Sequence, residues 1–220
     1  MRWASSAFLF LFFFIPGLAP SQEVTLLIDD FNRADSAVVG NGWLEFEQAR
    51  AAVEISGDRL YFADSSRRAL RPMVIHGFPE VVSGIVQWEF QFDWARTGQD
   101  KNYSVLMQLG DGLQMSDQSM DVGVGVNLLW SRIGGVDELL GYRQGGAVAT
   151  LTGMSGLATV RVRADLDQFT YEVEVDGTIV QSQIPFDSTV ALNTVRFFTD
   201  GVNDTNFAGQ AFDALNITGQ

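Results

Sequence analysis

From Val86 to Trp94 every second residue is apolar: Val86, Trp88, Phe90, Phe92 and Trp94 alternate with Gln87, Glu89, Gln91 and Asp93. A period of two belongs to an extended strand, whose successive side chains point to opposite faces. The stretch 81–94 therefore reads as a long strand with one aromatic face for a core and one polar face for water. Tyr103, Val105, Met107 and Leu109 repeat the pattern, as do Val122, Val124, Val126, Leu128 and Trp130. An acidic loop, 110–121, joins these two strands. Shorter candidates are 26–31, 43–47, 73–78 between two prolines, 138–143, 147–151, 178–181, 195–200 and 211–218. Residues 53–56 and 59–63 flank Gly57-Asp58, a two-residue turn between β-prone runs, and so form a hairpin.

A second hairpin is written more strongly. Val160, Val162 and Ala164 alternate with Arg161 and Arg163, and Tyr171, Val173 and Val175 alternate with Glu172 and Glu174. A turn centred on Leu166 and Asp167 sets Arg161 opposite Glu172 and Val162 opposite Tyr171, pairing charges on one face and apolar groups on the other. No segment holds a helical period. About a dozen strands with Gly-rich turns predict an all-β fold, a two-sheet antiparallel β-sandwich of jelly-roll type.

The N-terminus changes the reading of the first residues. Arg2, an apolar run from Ala7 to Ile15, then Pro16, Gly17 and small residues follow the order of a secretory signal. The expectation is a signal peptide over 1–21, cut before Gln22, and one jelly-roll domain over 22–220 in a secreted, periplasmic or extracellular protein. The apolar run is too short to serve as a membrane anchor, so no membrane insertion is expected. There is no cysteine, which removes disulfides from the account. A formal net charge of −13 argues against nucleic acid and anionic lipid as partners, since both select clustered Lys and Arg.

Several stretches together resemble a known family. Asp29-Asp30-Phe31-Asn32-Arg33-Ala34-Asp35 with Gly42-Trp43, the stretch 81–94, the hairpin 160–177 and the ending Ala211-Phe212-Asp213-Ala214-Leu215-Asn216-Ile217 are similar to bacterial concanavalin A-like lectin/glucanase domains, the laminin-G-like jelly rolls. The resemblance covers nearly all of 22–220. It implies two curved antiparallel sheets with the first and last strands adjacent, and a carbohydrate ligand on the concave face or at the sandwich edge. The superfamily holds lectins, hydrolases, lyases and non-catalytic modules, so fold alone does not choose among them.

Glu89, Gln91 and Asp93 share one strand face, about 7 Å between alternate residues. Two carboxylates so placed suggest acid and base for glycoside hydrolysis. Against the Glu-x-Asp-x-x-Glu or Glu-x-Asp-x-Glu signature of glucanases with this fold, however, Gln91 replaces the central acid and Asp93 the last. The row is therefore expected to bind rather than to catalyse. Asn127 is placed with it, and Trp94 and Trp130, at strand ends beside polar loops, are expected to stack on a pyranose at its rim. Trp88, Phe90 and Phe92 are expected in the core. His76, the only histidine, has no Gly-x-Ser-x-Gly nucleophile to serve and reads as structural.

One histidine and no cysteine leave zinc without its usual ligands, whereas calcium needs only oxygens. Asp30 with Asp213 is the first candidate calcium pair, should the terminal strands be neighbours. The loop 200–206 and the set Asp111, Asp117 and Asp121 are others. The expected function is an exported, non-catalytic carbohydrate-binding domain for extracellular polysaccharide or glycan. The alternatives are a polysaccharide-degrading hydrolase or lyase on the same fold, and a structural or adhesive surface domain that binds protein.

Overall fold

The computed structural model describes residues 22–46, 53–62, 72–93, 103–115, 122–133, 136–143, 146–152, 157–188, 190–201 and 210–220, with the backbone alone for 103–104, 131–133, 136–143, 146–152 and 200–201. Every regular element among these residues is a strand. The first six are β1 (Val24–Asp29), β2 (Leu44–Phe46), β3 (Val53–Ile55), β4 (Leu60–Phe62), β5 (Met73–Val81) and β6 (Ile85–Asp93). Then come β7 (Tyr103–Gly110), β8 (Val124–Ile133), β9 (Val136–Arg143), β10 (Gly146–Thr152), β11 (Leu157–Asp165) and β12 (Thr170–Val175). The last three are β13 (Thr178–Pro185), β14 (Leu192–Gly201) and β15 (Gln210–Gly219).

An eight-stranded sheet has the order β13-β12-β11-β6-β15-β4-β3, with β1 also on β15, and a seven-stranded sheet has the order β10-β9-β8-β7-β14-β5-β2. All pairings are antiparallel. The terminal strands are neighbours, with Val24 opposite Gly219 and Asp29 opposite Leu215.

The aromatic side of β6 is the middle of the core. Val86, Trp88, Phe90 and Phe92 have no exposed surface, and burying each such side chain is worth about 1.5–3 kcal/mol. Their rings meet both sheets: Trp88 lies 5.9 Å from Phe197 on β14, and Phe92 lies 5.0 Å from Phe212 on β15 and 5.2 Å from Trp130 on β8.

Three local expectations need correction. The stretch 81–94 is not one strand, because Val81 ends β5 and the chain turns at Gly84, whose φ of 82° suits glycine. A Cβ there would also stand 2.3 Å from the carbonyl oxygen of Gln220. Pro79, expected to close its strand, lies inside β5. It is tolerated because the register with β14 breaks between Gly77 and Val81, while β2 pairs only with residues 73–75 on the other edge. In the β11–β12 hairpin, Arg161 is opposite Glu174 and Val162 opposite Val173, a slip of two residues from the expected register. Asp165 accepts the amides of Asp167 and Gln168, and Phe169 at φ 52° completes a turn over 166–169. A slip of two preserves the faces, so charge still meets charge.

Candidate functional site

The polar side of β6 looks outward from the eight-stranded sheet, and its neighbours decide what it can do. Glu89 lies between Arg161 on β11 and Asn216 on β15, and Gln91 between Thr159 and Asp213. Arg161 donates through Nε (2.8 Å) and approaches through Nη2 (2.6 Å) the single oxygen Oε2 of Glu89, while its Nη1 donates to Glu174 (2.8 Å). The hydrogen bond to Glu89, the charge of Glu89 and, more weakly, that of Glu174 hold the guanidinium above its ordinary pKa range against a small desolvation cost. At the end of the row, Arg59 Nη1 donates to Asp93 at 2.8 Å, and its Nε stands 4.0 Å from Asp213. Glu89 and Asp93 are thus each engaged by an arginine.

Beside Glu89 the strands leave a polar groove of about 200 Å³, lined by Glu23, Gln87, Glu89, Arg161, Asn216 and Thr218. Thr218 donates its hydroxyl to Glu23 Oε1 at 2.7 Å, tying the chain before β1 to β15. Because Arg161 uses only Oε2 of Glu89 and Thr218 only Oε1 of Glu23, each carboxylate keeps its second oxygen without a donor among the described residues. The side-chain oxygen of Asn216 is buried and has no hydrogen-bond partner. Rotation of this amide exchanges its donor and acceptor ends, so Asn216 can offer either to a ligand.

Asn127 and Trp130 do not belong to this surface, a correction to their expected place beside Glu89. Trp130 opposes Val105 on the inward side of β8, 1% exposed, so its ring fills the core rather than a rim. β8 runs on to Ile133, which puts Trp130 within the sandwich instead of at its end. Asn127 faces outward from the seven-stranded sheet, fully buried in a polar chain. Arg196 donates to Gln108 Oε1 (2.7 Å from Nε), Gln108 to Asn127 Oδ1 (2.9 Å), and Asn127 to Asp187 Oδ2 (2.7 Å).

Tyr171, from the opposite sheet, donates its hydroxyl to the carbonyl of Asn127 at 3.2 Å. Burial, with the charge of Asp187, pushes that phenol well above its ordinary range, and burial pulls Arg196 down to about 10. Arg196, Gln108 and Asp187 escaped sequence reasoning. A polar residue alternating with apolar ones looks solvent-facing when only one sheet face is assumed to be covered. Trp94 lies outside the described residues.

Each member of the expected metal pair has a partner within the protein. Asp213 looks to Arg59, whereas Asp30 is exposed and accepts the amide of Asn32 at 3.1 Å. The neighbouring Asp29 is the organising carboxylate. It is 4% exposed and accepts from Phe31 N (2.9 Å), Arg33 Nη1 (2.7 Å), Asn41 Nδ2 (3.1 Å) and Trp43 Nε1 (2.8 Å). Desolvation would raise its pKa, but these donors outweigh it and hold the carboxyl below its ordinary range.

Asp29, Asp30, Ile28, Asn32, Arg33 and Asn41 line an open cleft of about 480 Å³. The His76 ring lies 5.2 Å from that of Trp43, and its Nε2 stands 3.1 Å from the carbonyl oxygen of Asn41. Asp111 closes its own turn through the amide of Leu113. Asp117, Asp121 and the loop 202–206 lie outside the described residues. Among the described residues no group of three or more His, Cys, Asp or Glu side chains could hold a metal ion.

Two antiparallel sheets packed face to face, with no helix among the described residues, make this chain a two-sheet β-sandwich of jelly-roll type. No protein-family model matches the sequence, and no curated protein matches it significantly. Solved structures share the fold. The carbohydrate recognition domain of Emp47p superposes with a TM-score of 0.61 at 17% identity, covering 92% of this chain and 99% of that one. A CBM2 module of the evolved Dit of Lactobacillus casei BL23 phage J-1 gives 0.62 at 10% identity, covering 89% and 95%. A sialidase gives 0.60 at 15% identity over 88% of this chain, which spans only 18% of the sialidase's length.

Proposed function

We propose that this chain is an exported, non-catalytic carbohydrate-binding domain of the concanavalin A-like, laminin-G-like jelly-roll type, and that it engages extracellular glycan through the groove beside Glu89. The observation that carries this reading is the groove itself: amide and carboxylate groups fixed on adjoining strands, open to a ligand, with hydrogen-bonding capacity left over. Rigid strands hold such groups more sharply than loops do, which lowers the ordering cost of binding. The Emp47p domain that shares this fold is a carbohydrate recognition domain, which supports the ligand class.

Catalysis fits the site less well. Glycoside hydrolysis uses one carboxyl as acid and a second as base or nucleophile, and here Glu89 and Asp93 are each engaged by an arginine. Export follows from the N-terminal segment, and the mature chain is expected to begin at Gln22.

A glycan array read with the wild type, Gln87→Ala and Asn216→Ala tests the proposal. Saturable binding that is lost in both variants, with no reducing ends released, is the expected result. Released reducing ends, or binding unchanged in both variants, would overturn it.

A further inference from the structure

We propose that the groove selects glycans that carry a protonated amine, as 2-amino-2-deoxy sugars do, and rejects acidic glycans; this rests on the carbohydrate reading above. The groove is the small cleft on the eight-stranded sheet, with room for about one sugar ring, and it carries two unused carboxylate oxygens beside the side-chain amides of Gln87 and Asn216. Among the described residues, none donates to Glu89 Oε1 or Glu23 Oε2.

The one cation in the lining, Arg161, directs Nε, Nη1 and Nη2 to Glu89 and Glu174. Three of its five N–H groups are thus committed to carboxylates, which offset its pull on an incoming carboxylate or sulfate. Glu89 and Glu174 flank this single guanidinium and Glu23 shares the lining, so the lining is net negative. Asn216 adds an amide whose oxygen lacks a partner.

A group with several donors and a positive charge suits this lining, and an ammonium supplies three donors in place of a hydroxyl's one. An acetylated amine keeps a single N–H and loses the charge. A uronic acid would bring a carboxylate against Glu89 and Glu23. The formal net charge of −13 adds a long-range bias in the same direction, steering cationic chains toward the molecule.

The test is calorimetric titration of the full mature chain, at mildly acidic pH where the sugar amine is protonated. The probes are a glucosamine oligomer, its N-acetylated counterpart, an oligouronate of equal length, and spermidine. The expected result is that the glucosamine oligomer binds about tenfold tighter than the N-acetylated one, the advantage of one charge-assisted contact. The oligouronate should not bind.

Glu89→Gln should remove most of that preference, and Gln87→Lys, which puts a cation into the groove, should reverse it. Both positions are partly exposed, and melting curves report that the variants fold. Equal or tighter binding of the N-acetylated or acidic oligomer would overturn the amine assignment and leave the carbohydrate reading standing. So would a preference unchanged in both variants, which marks diffuse attraction to an acidic surface. Spermidine binding as tightly as the oligomer, and equally sensitive to Glu89→Gln, would assign the site to polyamines instead. Failure of every oligomer to bind would overturn both readings.

Discussion

Asp29→Ala removes a buried carboxylate on which four donors converge. The carboxylate is 4% exposed and receives a backbone amide, an indole, a guanidinium and a side-chain amide, which fasten the end of β1 to the loop through residue 43. Its removal leaves Trp43 Nε1 and the Phe31 amide buried without their acceptor, each costing about 1–3 kcal/mol. Arg33 retains 28% side-chain exposure and can turn to water, so its loss counts for less. The sum is about 3–5 kcal/mol, near the cost of breaking a buried charge pair. For a domain of this size that corresponds to a fall of about 10 °C in melting temperature.

Urea denaturation followed by circular dichroism measures this directly. Asp29→Asn, which keeps one carbonyl acceptor and no charge, should lose about half as much. The comparison also has a pH signature. The folded-state pKa of Asp29 is depressed, so its contribution is complete above the unfolded value of about 3.9 and disappears as pH falls through the lower folded value. The gap between wild type and Asp29→Asn should therefore stay constant near neutrality and narrow below about pH 4. A loss under about 1 kcal/mol for Asp29→Ala, or a gap that widens in acid, would refute the hub.

Other consequences are smaller or differently placed. Gly84→Ala should cost more than about 2 kcal/mol in the same denaturation assay, since strain at positive φ is joined by a backbone collision with Gln220. Arg161→Gln should cost less than about 1 kcal/mol, because the guanidinium is partly exposed, and the loss should shrink in molar salt. Asn127→Ala should cost about 2–4 kcal/mol by taking an acceptor from Gln108 and a donor from Asp187, without the selective loss of glycan binding expected of a groove variant. Trp130→Ala should cost about 3–5 kcal/mol through the cavity it leaves.

The alternation in residues 86–92 was enough to place Trp88, Phe90 and Phe92 in the core, because period-two patterning is a direct consequence of strand geometry. The pairing of the β11 and β12 charges was legible to within two residues. What escaped was the turn chemistry of Asp165, which sets the register but leaves the faces unchanged. The position of Trp130 near a strand end says nothing about which face it takes until the partner strand is known. Asn127 and Glu89 read alike in the sequence because both are polar residues alternating with apolar ones. Only the topology shows that β6 and β8 lie in different sheets, and that Asn127 is buried in a chain running through Gln108 and Arg196. The groove itself depends on β1, β6, β11 and β15 converging, and no local pattern announces that.

The claim that glycan binds the eight-stranded sheet beside Glu89 is tested most directly by the side-chain amide signals of the protein in ¹H–¹⁵N spectra, recorded as a binding oligosaccharide is added. Gln87 and Asn216 line the groove, while Gln108 and Asn127 lie on the outward face of the other sheet. The account predicts saturable shifts in the amide pairs of Gln87 and Asn216, with those of Gln108 and Asn127 unmoved. Shifts confined to Gln108 and Asn127 would contradict it and transfer the site to the seven-stranded sheet.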